Sequence, residues 1–305
     1  MLLNDAEKRI LLNIIGSVSG FSGVDVMSFA IMANHFHLLI KVPKRREVDD
    51  NDLVVRMQCL YGVEKTKGLL ASWELWNAKG DSLKVIAAKD ALKKRMFNLS
   101  DFFKTLKERF SKNFNRRDGC SGTFWSERFT SVLLESEGDV LPTIGAYIDL
   151  NPVRAEITVK PEEYEFSSFG AAMRGDVKAS EGIRELVAAA DPRNKQLSLT
   201  EALDAYKRIM DGEVPFRAVS AKRKMSSTSP SVGEVAERAR RSEKLRSRQR
   251  GFWAGAAIGT FEFIGKILNA AFYLSNEVRS PGFTPWQGRM DEYYHARRVN
   301  GLRRQ

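Results

Sequence analysis

A chain of 305 residues, 43% hydrophobic and 29% charged, can bury one sizeable core with an appendage, or two modest cores. Its 49 Lys and Arg against 38 Asp and Glu give a net charge of +11 and a pI near 9.6, which favours an anionic partner without naming it. Two cysteines, Cys59 and Cys120, exclude a disulfide framework and a cysteine metal site, and a reducing cytosol is the natural setting.

Asp5 is positioned to cap a helix that carries Ile10, Leu11, Ile14 and Ile15 on one side and ends toward Gly20 and Gly23. Residues 24–32 and 35–42 then read as two strands around Ala33-Asn34. The second strand holds His35 and His37, two of only three histidines in the chain. Side chains alternate faces along a strand, so both imidazoles point to one side while Phe36 and Leu38 point to the other. Two converging imidazoles can hold a divalent metal. The plainer alternative is a pair of surface or hydrogen-bonded histidines on a half-exposed strand.

Residues 43–94 are polar at first and then helical in period, with Leu53, Met57, Leu60, Leu69, Leu70, Trp73 and Trp76 as apolar members, which predicts a helical insertion over about 44–95 beside the sheet. Trp73 and Trp76 belong either to the insertion's own small core or to a base-stacking platform. Leu99, Phe102, Phe103, Leu106, Phe110 and Phe114 recur at three- and four-residue steps and predict an amphipathic helix opened by Ser100 and stopped near Gly119. Its opposite face carries Lys104, Lys107, Lys112, Arg116 and Arg117, either a solvated face or a contact for a phosphate backbone.

A strand is expected over 123–135 and a helix from Asp139 that delivers Tyr147. Pro152 disfavours helical geometry at the residue before it, so Asn151 reads as a helix end. Tyr147 and Asn151, four residues apart, share one helix face. Either they look into a common site or the tyrosine packs beside a helix end that Asn151 terminates. After about Arg174 the pattern loosens. Residues 217–250 hold eleven basic residues against three acidic ones, interrupted by Ser226-Ser227-Thr228-Ser229-Pro230, a flexible segment over about 215–250 or a nonspecific clamp on nucleic acid. The apolar run at 252–272 is broken by Glu262 and Lys266, which makes it a poor membrane span, and no basic-then-apolar signal stands at the N-terminus.

His35-Phe36-His37, followed by Tyr147-Ile148-Asp149-Leu150-Asn151-Pro152-Val153-Arg154-Ala155, resembles the single-tyrosine transposases with a His-hydrophobic-His motif, in particular the REP-associated tyrosine transposase branch. The likeness runs from about Asn4 to about Arg174. It includes the segment from Asn98 to Phe110, Asn115-Arg116-Arg117, Gly122-Thr123-Phe124-Trp125-Ser126-Glu127-Arg128-Phe129 and Tyr164-Glu165-Phe166-Ser167-Ser168-Phe169. Such proteins usually begin with a strand ahead of the first helix; here that strand is expected to be missing.

The resemblance implies an α+β fold: a ferredoxin-like antiparallel sheet with helices on one face. It implies a catalytic domain over 1–175 with the insertion, and a basic, mostly helical extension over 176–305. It further implies Tyr147 as a nucleophile that becomes joined to a DNA 5′ end, and Mg²⁺ or Mn²⁺ on His35 and His37 with Asn151 as third ligand. Lys104, Lys107, Lys112, Arg116, Arg117, Arg128 and Arg154 are the expected DNA contacts. The expected activity is nicking and strand transfer on single-stranded DNA hairpins, in the cytoplasm with the nucleoid and away from membranes, by a monomer or a homodimer. Two alternatives stand beside it: a replication initiator or relaxase with the same two-part site, and a decayed copy that holds DNA hairpins without cutting them.

Overall fold

Helix α1 (Asp5–Ser22) opens one residue earlier than the sequence predicts, because Asn4, in extended conformation, is the cap. Its side chain accepts from the Glu7 N–H while the Glu7 carboxylate accepts from the Asn4 N–H, a reciprocal capping box. The computed structural model describes residues 2–122, 124–125, 129–136 and 138–211, with 255–260, 262–263, 283–285 and 293–297. The described residues are α+β and mostly helical, and the chain divides into two compact units, Met1–Phe129 and Thr130–Gln305.

In the first unit, α1 turns Leu11, Ile15, Val18 and Phe21 inward and stops at Gly23. Strands β1 (Asp25–Ile31) and β2 (Phe36–Lys41) follow as an antiparallel pair with Phe36 opposite Ile31 and His37 opposite Ala30. The Met32 N–H donates to the His35 carbonyl across the turn, and the Leu3 N–H donates to the Ala33 carbonyl, so the N-terminal residues are fastened to the same turn. Helix α5 (Leu99–Asp118) is capped by the Asn98 side chain, which accepts from the N–H groups of Ser100 and Asp101, and it ends at Gly119. Phe102, Phe103, Leu106, Phe110 and Phe114 are the buried stripe, and α5 packs on α1. Glu7, buried, joins the two helices a second time through the Arg117 guanidinium.

Between β2 and α5 the chain makes α2 (Asp50–Tyr61), α3 (Val63–Ala78) and α4 (Ser82–Lys94), where periodicity predicts helices. Trp73 is buried there, with Lys89 Nζ 5.9 Å from its ring centroid, and Trp76 is half-buried. These helices are tied back to α1 at their exit. Phe97 adopts a left-handed φ of 53° and donates its N–H to the Ser22 carbonyl at 2.7 Å. Its ring carries the guanidinium of Arg56 at 5.2 Å, while that guanidinium reaches the Phe21 carbonyl at 3.4 Å. Gly23 has φ of 69°, and a Cβ on it would meet Phe97 Cε1 at 2.6 Å and Arg56 Nη1 at 2.8 Å. Only glycine allows that approach.

The strand expected over 123–135 is reduced, among the described residues, to β3 (Leu133–Leu134). Upstream of it the aromatic side chains anchor individually on α5 instead of alternating: Phe129 stacks on Phe103 at 4.1 Å, and Phe124 lies 4.9 Å from Phe110. Trp125 packs against Phe36 and Phe110, and its indole N–H donates to the Lys107 carbonyl. Strong aromatic contacts on one helix have overridden the strand pattern.

The second unit contains α6 (Val140–Asp149), the single turn α7 (Asn151–Arg154), α8 (Ser168–Met173), α9 (Val177–Ala190) and α10 (Leu199–Asp211). Where a mostly helical extension is expected, α9 and α10 are followed by strands β4 (Gly255–Thr260), β5 (Phe283–Pro285) and β6 (Tyr293–Arg297). With β3 they form a sheet in the order β3-β4-β6-β5, parallel only between β3 and β4. Segment 215–250 lies outside the described residues. No helix of the described residues is long and apolar enough to cross a membrane.

Helix α6 is covered by α9 and α10, and Gly145 sets how close they come. A Cβ at Gly145 would stand 2.5 Å from Leu186 Cδ1 and 2.9 Å from the Tyr206 hydroxyl. Gly145→Ala is therefore expected to lower stability by about 1–3 kcal/mol through overpacking, despite the better helix propensity of alanine. Urea unfolding checks this; an unchanged or raised midpoint would refute the tight packing of α6.

Candidate active site

In the first unit, the expected metal-binding histidines stand on the β1–β2 hairpin. Residue His37 lies in β2 and His35 just ahead of it, on the same face, as period two demands, and their rings are 4.8 Å apart between centroids in an edge-to-face arrangement. Asn34 Oδ1 lies 2.7 Å from His35 Nδ1. Burial, and then the neighbouring His35, push His37 down to about 4, and burial also lowers His35 from its ordinary value. Both rings are thus neutral near pH 7, the form that binds metals. The donor set suits a first-row divalent cation that takes its other ligands from oxygen. Among the described residues, no group of three or more His, Cys, Asp or Glu side chains is placed to hold a metal ion.

In the second unit, the expected nucleophile and third ligand stand at the end of α6 and in α7. Tyr147 is 5% exposed. Two residues on, Asp149 is fully buried and accepts hydrogen bonds from the Ser168 hydroxyl, the Phe169 N–H at 2.8 Å and the Tyr206 hydroxyl at 2.8 Å. Asn151 turns its amide nitrogen back on the helix end, donating to the carbonyls of Tyr147 at 3.1 Å and Ile148 at 3.2 Å. The asparagine thus terminates α6, and its Oδ1 is the atom with ligating chemistry. Arg154 stacks its guanidinium 4.2 Å from the Tyr147 ring centroid and donates from Nη1 to the Tyr147 carbonyl at 2.9 Å. Burial pushes that guanidinium down to about 10, with Tyr147 acting in the opposite direction.

The basic positions expected to meet DNA sort into three groups. Lys104, Lys112 and Arg116 are exposed along α5. Lys107 is half-buried with Nζ 5.4 Å over the Trp125 ring, and Arg117 is paired with Glu7 and Asp118, whose carboxylates raise it above the ordinary arginine value. Arg154 belongs with Tyr147. Arg128 lies outside the described residues.

Two polar residues escaped the sequence reading. Asn34 sits in a turn, where asparagine is expected for backbone reasons and draws no notice. Asp149 was visible as a lone carboxylate in an apolar helix, a signal that calls for partners; Ser168 and Tyr206 are too distant in sequence to be chosen in advance. The chain matches no family model, no curated protein and no solved structure.

Because His37 takes up protons only near pH 4 when folded and near its ordinary 6.5 when unfolded, protons favour the unfolded chain between those values. Stability of the metal-free protein should fall as pH drops through that window, and His37→Leu should flatten the fall. Parallel thermal melts of both proteins check it; identical pH profiles would refute the burial of His37. In the second unit, Arg154→Ala should cost about 1–3 kcal/mol in urea unfolding, from the lost stack and the lost bond to the Tyr147 carbonyl. A change within a few tenths would show that the stack contributes nothing.

Proposed function

We propose that this protein is a metal-dependent nickase and strand transferase of single-stranded DNA hairpins, of the tyrosine transposase kind that its motifs resemble. The observation that carries the reading is the pair of neutral imidazoles converging on one face of a hairpin, 4.8 Å apart. Supporting it are the exposed cationic row Lys104, Lys112 and Arg116 and the net charge of +11. The reading assumes a ferredoxin-like catalytic domain, a finer topology than the α+β arrangement with its two-stranded β1–β2 sheet.

In this reading, His35 and His37 would hold Mg²⁺ or Mn²⁺, with Asn151 as the third ligand that the resemblance implies, and the bound ion would supply Lewis-acid polarisation of a phosphate oxygen. The Tyr147 oxygen attacks phosphorus, forming a P–O bond as the bond to the DNA 3′ oxygen breaks. The phenolic proton goes to solvent, and the departing 3′ oxygen takes one up. The 5′ phosphate stays on the protein as a phosphotyrosine, and attack by another 3′ hydroxyl reverses the exchange without ATP. Arg154 keeps the Tyr147 ring in one orientation during both steps. Such a protein works in the cytoplasm with the nucleoid.

The burial of Tyr147 favours a second reading, a protein that grips DNA hairpins without cutting them. Incubation with a single-stranded hairpin and Mn²⁺ separates the two. The nickase leaves a protein–DNA adduct on the 5′ side of the cut, visible as a slower band on a denaturing gel, and Tyr147→Phe loses both adduct and nick. Nicking by Tyr147→Phe at wild-type rate would overturn the nucleophile; binding with no nick in either protein would favour the grip. For the contact face, converting Lys104, Lys112 and Arg116 together to Gln should make the salt dependence of hairpin binding shallower by up to about 0.9 log–log units per lost phosphate contact. An unaltered slope would mean that this face does not meet the backbone.

A further inference from the structure

We propose that Asn34 is a positioning residue that fixes the tautomer of His35, so that Nε2 is the atom presented to a divalent cation; the cation half of this inference rests on the function proposed above. The argument begins with donors and acceptors. An amide oxygen only accepts, so a hydrogen bond between Asn34 Oδ1 and His35 Nδ1, 2.7 Å apart, forms in the tautomer with the hydrogen on Nδ1. A neutral imidazole carries one N–H, which leaves the lone pair on Nε2. In water the opposite tautomer, with the hydrogen on Nε2, is the commoner one, and that form would turn a donor toward the incoming cation. The asparagine therefore removes a tautomer penalty before a ligand arrives.

The turn makes the arrangement rigid. Met32 N–H to His35 carbonyl at 2.8 Å closes it, and Leu3 N–H to Ala33 carbonyl at 2.6 Å pins it from outside. Neither Ala33 nor Asn34 has a positive φ, so the turn is not of the primed type that Asn-Gly pairs serve. A left-handed backbone is thus not what calls for asparagine here, and its side chain is free to bond the imidazole. The backbone of His37 is paired in β2 opposite Ala30, and the bond from Asn34 restrains the ring of His35. Hydrogen bonds of this kind to metal-binding histidines commonly set ring orientation and ligand basicity.

The test uses the full chain labelled with ¹⁵N-histidine, without metal or DNA. Long-range ¹H–¹⁵N correlation, with the ring assigned through His35→Gln, should show His35 protonated at Nδ1 in the wild type and mainly at Nε2 in Asn34→Ala. A wild-type ring protonated at Nε2 overturns the proposal outright, and that measurement depends on no variant folding. The second arm titrates Mn²⁺ alone by calorimetry. Asn34→Ala should bind it about 10–100-fold more weakly, and Asn34→Asp, which keeps an acceptor oxygen, should bind within a few-fold of wild type. Equal Mn²⁺ affinity in wild type and Asn34→Ala overturns the positioning role. If the wild type shows the Nδ1 hydrogen but takes up no Mn²⁺, the metal reading of the function fails while the tautomer assignment stands.

Discussion

A carboxylate removed from water must collect hydrogen bonds or lose its charge, and Asp149 collects them from three places at once. Its donors come from the first turn of α8, by hydroxyl and backbone, and from the middle of α10, by the Tyr206 hydroxyl. The backbone N–H of Phe169 adds the positive end of a short helix to the arrangement. A hydrogen bond to a buried charge contributes on the order of 1.5–3 kcal/mol. The helices of the second unit are thus locked in direction by one side chain, and Tyr147, two residues back on the same helix, inherits that fixed orientation. Gly145 completes the constraint by letting Leu186 and Tyr206 lie against the backbone of α6.

Periodicity was a good guide where one face of an element is buried. Helix α5 follows its aromatic stripe from Phe102 to Phe114, although the cap is Asn98 and not Ser100, a shift of two residues that the side-chain bonds to Ser100 and Asp101 decide. The His35–His37 face was legible because alternation on a strand needs no tertiary information. The strand over 123–135 is shorter than expected because Phe124, Trp125 and Phe129 satisfy themselves ring by ring on α5, which leaves the pattern to Leu133 and Leu134. Charge was the least legible property. Lys107 and Arg117 are by charge alone indistinguishable from Lys104 and Lys112, yet one leans over an indole and the other is tied to Glu7, a partner more than a hundred residues away. Arg154, by its charge a phosphate ligand, is stacked on Tyr147.

The clasp around Phe97 has a consequence for the modularity of the chain. Helices α2–α4 look like an insertion that could be cut out by joining the end of β2 to the start of α5. Yet Arg56 from α2 reaches the Phe21 carbonyl, Arg95 stacks on the Phe21 ring at 4.9 Å, and Phe97 closes on Ser22. The end of α1 is therefore finished by groups that the inserted helices carry. An excised version would leave the last carbonyls of α1 and an aromatic ring exposed, so these three helices behave as a buttress for α1, and not as cargo that can be unloaded.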